Sequence, residues 1–140
     1  EIQHIIKTLK TTTILVTHDI HDSLNISDKI LVFKSGKLQQ FDSPKNVYSY
    51  PKNLYCANII GGINKYTDLH GSKFIRPENI NIIDKSPIKL KVNSCCFQGK
   101  EYKISGICNK EDWLLYSSVP YEVNEELSLQ FDENNIIEFN

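Results

Sequence analysis

Three consecutive residues, Thr17, His18 and Asp19, have the types and order best suited to chemistry on an anion. An imidazole can donate a hydrogen bond to developing negative charge, and an aspartate beside it is a good first residue for a helix. The three follow residues 12–16, TTILV, a β-branched apolar run of the kind found in strands covered on both faces. In open α/β sheets ligands bind just outside the carboxyl ends of the strands, so a histidine there faces a ligand rather than the core. A lone histidine at a strand end more often bonds to backbone, so the residues around it decide. His21 completes an H-x-x-H pair with His18, but metal binding needs further ligands and none is near in sequence, so His21 reads as a solvated helix residue. Cys56, Cys95, Cys96 and Cys108 show no C-x-x-C spacing, and an adjacent Cys95–Cys96 pair would make a strained disulfide. They read as reduced thiols of a cytosolic protein rather than zinc ligands.

The elements that must position His18 follow from periodicity and capping. Ile2, Ile5, Ile6 and Leu9 fall on one face of an amphipathic helix, and Lys10-Thr11 connects it to the strand. Asp19 caps the next helix, with Asp22 in its first turn and Ile20 and Leu24 on its inner face. Two short strands, 29–34 and 37–41, meet at Ser35-Gly36, a good tight-turn pair. Asp42-Ser43-Pro44 starts a helix that runs to about Tyr50. Pro51 restarts the chain into a second short helix over 53–60, and Gly61-Gly62 ends it. That glycine pair divides the chain into residues 1–61 and 62–140.

Beyond Gly62 short strands are expected at 74–75, 80–83, 88–97, 102–107, 113–117, 127–131 and 136–139, separated by turn residues such as Gln98-Gly99 and Asn109-Lys110. So many short strands in one stretch suggest a small barrel or sandwich. Residues 80–83 and 88–92, with Trp113 and Phe131, supply one core.

Composition excludes several classes. Hydrophobic residues at 40% and charged residues at 24% are ordinary for a globular protein. No apolar run approaches the ~20 residues of a membrane-spanning helix. Glu1-Ile2-Gln3-His4 has neither the basic start nor the small-residue cleavage site of a signal peptide. The net charge of −1 conceals an asymmetry: residues 85–110 hold six lysines and one acid, Glu101, whereas 111–140 hold eight acids and no Lys or Arg. Two oppositely charged faces of one small domain account for this, with a basic patch for an anion as the sharper alternative. Phe97 and Tyr102 among Lys89, Lys91, Lys100 and Lys103 have the makings of a nucleic-acid platform. Alternating strands produce the same pattern, and the acidic run opposes nucleic-acid binding.

Taken together, the β-branched strand, Thr17-His18-Asp19, Ser27-Asp28, an apolar strand, Ser35-Gly36-Lys37 and Ser43-Pro44 before a helix resemble the carboxyl-terminal end of the nucleotide-binding domain of ABC transporters. The resemblance covers residues 2 to about 60. It implies an α/β C-terminal remnant of a P-loop nucleotide-binding domain, with His18 at the place of the switch histidine that reaches the γ-phosphate. Asp22-Ser23 replaces the Glu-Ala more usual there, which bears on helix packing rather than on His18. The 140 residues contain no G-x-x-x-x-G-K-[ST] loop, no LSGGQ-like signature and no apolar strand ending in Asp-Glu. In the family these lie upstream of the matching segment. Further on, Phe74-Ile75-Arg76-Pro77-Glu78-Asn79-Ile80 looks like the F/I-R-P-E motif of the accessory TOBE-type domain, which implies a small all-β OB-like (TOBE-type) barrel.

The resemblance therefore implies the ATP-hydrolysing subunit of an importer that couples hydrolysis to solute uptake. Its partners would be membrane permease subunits and a second copy of itself, and its place the inner face of the cell membrane, peripheral and cytoplasmic. ATP and Mg would be used by the intact protein, none being expected on these 140 residues. Arg76 and Glu78 become candidates for a regulatory or dimer contact. The alternative from a different class is a non-catalytic regulatory, dimerisation or small-anion-sensing barrel.

Overall fold

The computed structural model describes Thr8 and residues 12–139. The chain divides into two compact units, Glu1–Gly61 and Gly62–Asn140. The amphipathic helix expected over residues 2–9, together with Lys10-Thr11, lies outside the described residues, Thr8 excepted.

In the first unit, α1 spans Ile20–Ile26, β1 Ile30–Lys34, β2 Lys37–Asp42, α2 Pro44–Ser49 and α3 Leu54–Ile59. Capping explains the helix starts. Asp19, Ser43 and Asn53 each accept a backbone N–H of the first turn, and Pro44 occupies the first helical position of α2. Strands β1 and β2 form an antiparallel hairpin, turned by Ser35 and Gly36, which both have positive φ (49° and 74°). That conformation matches the right-handed strand twist and favours glycine at the second position. Ile30 and Val32 face inward and join Val47, Cys56 and Ile60 in a small core, with Ile20, Leu24, Tyr48 and Tyr55 packed against it. Tyr55 fastens α3 to the hairpin: its hydroxyl donates to the Phe33 carbonyl at 3.0 Å, and Lys34 Nζ sits 4.7 Å from the ring centroid.

One expectation is corrected here. Residues 12–16 are not a buried strand; they are irregular and exposed, Ile14 at 83% and Val16 at 92%. A strand is held by ladder bonds to neighbours, and among the described residues none pairs with this segment. Val32, on the inner face of β1, is buried because α2 and α3 supply its cover.

The second unit holds β3 Asn64–Asp68, β4 Gly71–Ile75, a 3₁₀ turn Pro77–Asn79, β5 Ile80–Ile83, β6 Lys89–Phe97, β7 Tyr102–Cys108, β8 Glu111–Ser117, β9 Glu126–Phe131 and β10 Ile136–Ile137. They form two antiparallel sheets, β10-β4-β3 and β5-β9-β6-β7-β8, a small barrel-like β domain. Alternation along β6 places Leu90 and Val92 inside and Lys89 and Lys91 outside. Ten buried residues, among them Ile75, Ile104, Trp113, Leu115 and Leu129, make one core, with Phe131 packed against it.

Strand β3 has no counterpart in the sequence reading. Its sequence, NKYTD, is too polar to signal a strand; an antiparallel ladder with β4 holds it, and side-chain bonds reinforce it. Buried Asn64 accepts from the Leu114 N–H and donates to the Leu114 carbonyl, both at 2.7 Å, and the Trp113 indole donates to the Lys65 carbonyl at 2.8 Å. These bonds tie the three-stranded sheet to β8.

Candidate functional site

The backbone around His18 is fixed from both sides. Thr17 Oγ1 accepts the Asp19 N–H at 2.9 Å. Asp19 Oδ1 accepts the N–H groups of His21 (2.7 Å) and Asp22 (3.3 Å), and the Asp19 carbonyl accepts from Ser23 Oγ at 3.1 Å. The first-turn amides of α1 are thus occupied by an aspartate of the chain itself. His18 sits at the bend between these anchors with its side chain exposed. The site therefore offers an imidazole on a set backbone, able to donate to an oxygen or to accept from an N–H or O–H. His21 is exposed as well, on α1. Among the described residues no three His, Cys, Asp or Glu side chains gather as a metal ion would require.

In the second unit the two motif residues part company. Arg76 is 2% exposed, and its Nη1 donates to the Gly62 carbonyl. Its backbone is extended (φ −66°, ψ 142°), as the following proline dictates. Glu78 stands exposed in the 3₁₀ turn. Of the two residues singled out for a regulatory or dimer contact, Arg76 bonds within its own unit and Glu78 is exposed.

The charge asymmetry of the sequence is partly cancelled in three dimensions. Lys91 stands directly across from Glu126 in the β6–β9 ladder, Lys89 Nζ lies 3.8 Å from Glu126, and Lys65 pairs with Glu111 at 2.9 Å. Asp68 is held below the usual carboxylate range by its hydrogen bond from Lys73, with the His70 amide adding to it. At the turn end of the β6–β7 hairpin, Phe97 and Tyr102 pair with ring centroids 5.1 Å apart. All four cysteines are free thiols; burial raises Cys56, and lifts Cys108 to about 11.

One feature escaped the sequence reading. Leu31 faces Phe41 and Phe33 faces Leu38 on the outer face of the β1–β2 hairpin, each about half exposed. The signal was available: ILVF is a continuous apolar run, and such runs suit strands covered on both faces.

No protein-family model matches the chain. The spermidine/putrescine import ATP-binding protein PotA of Clostridium novyi is 31% identical over an alignment of 163 residues that takes in 97% of this chain. This chain is a relative of the ABC importer ATP-binding proteins. It spans about half the length of that relative, 47%. The alignment is longer than the chain itself, so this ABC importer relative carries segments that the chain lacks.

Proposed function

We propose that this chain is the carboxyl-terminal part of an ABC importer's ATP-hydrolysing subunit: the end of its nucleotide-binding domain followed by a TOBE-type, OB-like barrel. The observation that carries the reading is the 31% identity extending over 97% of the chain. Two structural features support it. His18 is presented to solvent on a backbone fixed by Thr17 and Asp19. The outer hairpin face, with Leu31, Phe33, Leu38 and Phe41, leaves apolar area of the kind that marks a contact surface.

In this reading His18 is the one residue here that meets the nucleotide. Phosphoryl transfer is catalysed by positioning and charge stabilisation, and an imidazole held at a bend can donate to charge developing on the phosphate oxygens. The 140 residues contain no glycine-rich loop ending in Gly-Lys-Ser/Thr, so they do not fit ATP or Mg by themselves, and both would be held by other parts of a longer protein. That protein would work on the cytoplasmic face of the membrane with permease subunits and a second copy of itself, importing a solute; spermidine and putrescine are the named cargo of the relative. Among the described residues no helix is long and apolar enough to cross a membrane.

The reading is tested by nucleotide titration and turnover of the 140-residue chain. It is expected to show neither ATP affinity nor hydrolysis, because no loop of backbone N–H groups cradles the phosphates. Magnesium-dependent turnover that His18→Ala abolishes would overturn it.

A further inference from the structure

We propose that Arg76 is a clasp that fixes the start of the second unit, confining the backbone freedom of the Gly61-Gly62 pair to Gly61. The inference stands whether or not the chain serves an ATPase. Both glycines have positive φ, 156° and 71°, and two adjacent glycines give the chain its widest conformational freedom. A six-residue helix and its cap, Ile60, precede them and a strand begins two residues later, so such a joint would let the first residues of β3 fray. Arg76 opposes this across 14 positions of sequence, donating from Nη1 to the Gly62 carbonyl.

The surroundings fix the backbone that carries the guanidinium. Pro77 is fully buried and holds Arg76 extended. Ile75, the preceding residue, is fully buried and is paired on one side with Asn64 of β3 and on the other with Ile136 of β10. The donor thus directly follows the middle strand of its sheet, whose last residue is paired on both sides. A guanidinium suits the task because its donors form a rigid planar fork, whereas a lysine ammonium is a point charge on a flexible stem. Burial at 2% keeps water from competing for the carbonyl. Arg76 is a positioning residue here, acting on the backbone of Gly62.

Hydrogen exchange on the full 140-residue chain, wild type beside Arg76→Lys and Arg76→Ala, tests the clasp. Amides 63–66 are expected to exchange about ten- to a hundredfold faster in the variants, the loss of a hydrogen bond to a charged group expressed as local opening. Exchange in β6 and β7 is expected to stay as in the wild type, with cleavage by a non-specific protease rising around residues 61–63. Unchanged exchange at 63–66 would overturn the proposal. An equal rise throughout the second unit, or unfolding of both variants, would overturn it too, by making Arg76 a general core residue. If Arg76→Ala alone unfolds, Arg76→Lys decides by the same local comparison.

Discussion

At the scale of single residues, tightly placed atoms make the sharpest claims. Gly106 lies on β7 where an added Cβ would stand 2.4 Å from the Lys91 carbonyl oxygen and 2.5 Å from Leu90 Cδ2. Neither a ladder carbonyl nor a fully buried leucine can yield easily. Gly106→Ala is therefore expected to destabilise the second unit by about 1–3 kcal/mol, the usual cost of overpacking. Urea denaturation followed by Trp113 fluorescence checks this, and an unchanged midpoint would contradict it. Cys108 gives a pH prediction. Its thiol is raised from the ordinary 9.0 to about 11 by burial alone. Between those values the unfolded chain has lost the proton and the folded chain keeps it, so this contribution is whole below pH 9 and is lost as pH rises toward 11. Stability curves of wild type and Cys108→Ala are expected to converge over that window, and parallel curves would refute the assignment.

At the scale of elements, what the sequence made legible was what local chemistry determines. Asp19, Ser43-Pro44 and Pro51 announced three helix starts, Ser35-Gly36 the hairpin turn, and alternating Leu90 and Val92 the inner face of β6. What stayed hidden depends on partners distant in sequence. Strand β3 pairs along β4 and is fastened to β8 by bonds between Asn64 and Lys65 and residues 114 and 113, and no local pattern reveals that fastening. Residues 12–16 have strand composition but, among the described residues, no neighbour to complete a ladder. The capping of α1 by Asp19 beside His18 was readable from local sequence, while the inward turn of Arg76 was not, since an Arg-Pro-Glu triplet reads equally as a surface ion pair. The hairpin face makes a prediction of its own. Phe33 and Leu38 are paired on its outer face and half exposed, so the isolated chain is expected to self-associate through it. Replacing both by Asp should lower the mass seen in light scattering without lowering the melting temperature. A monodisperse wild-type monomer would count against this.

At the scale of the whole molecule, two compact units and a relative about twice as long give each part a different burden. The first unit presents the candidate catalytic group, and the second is a self-contained β core whose opposite charges partly meet across β6 and β9. The account stands or falls on His18 in the longer protein of which these residues would form the carboxyl-terminal part. The decisive measurement is ATP binding and single-turnover hydrolysis of that protein with and without His18→Ala. Because His18 is exposed and outside both cores, folding and nucleotide affinity are expected to survive, while the hydrolysis rate falls roughly 10²–10³-fold, the loss typical of one donor to transition-state charge. An unchanged hydrolysis rate, or a loss of folding in place of a loss of rate, would contradict it.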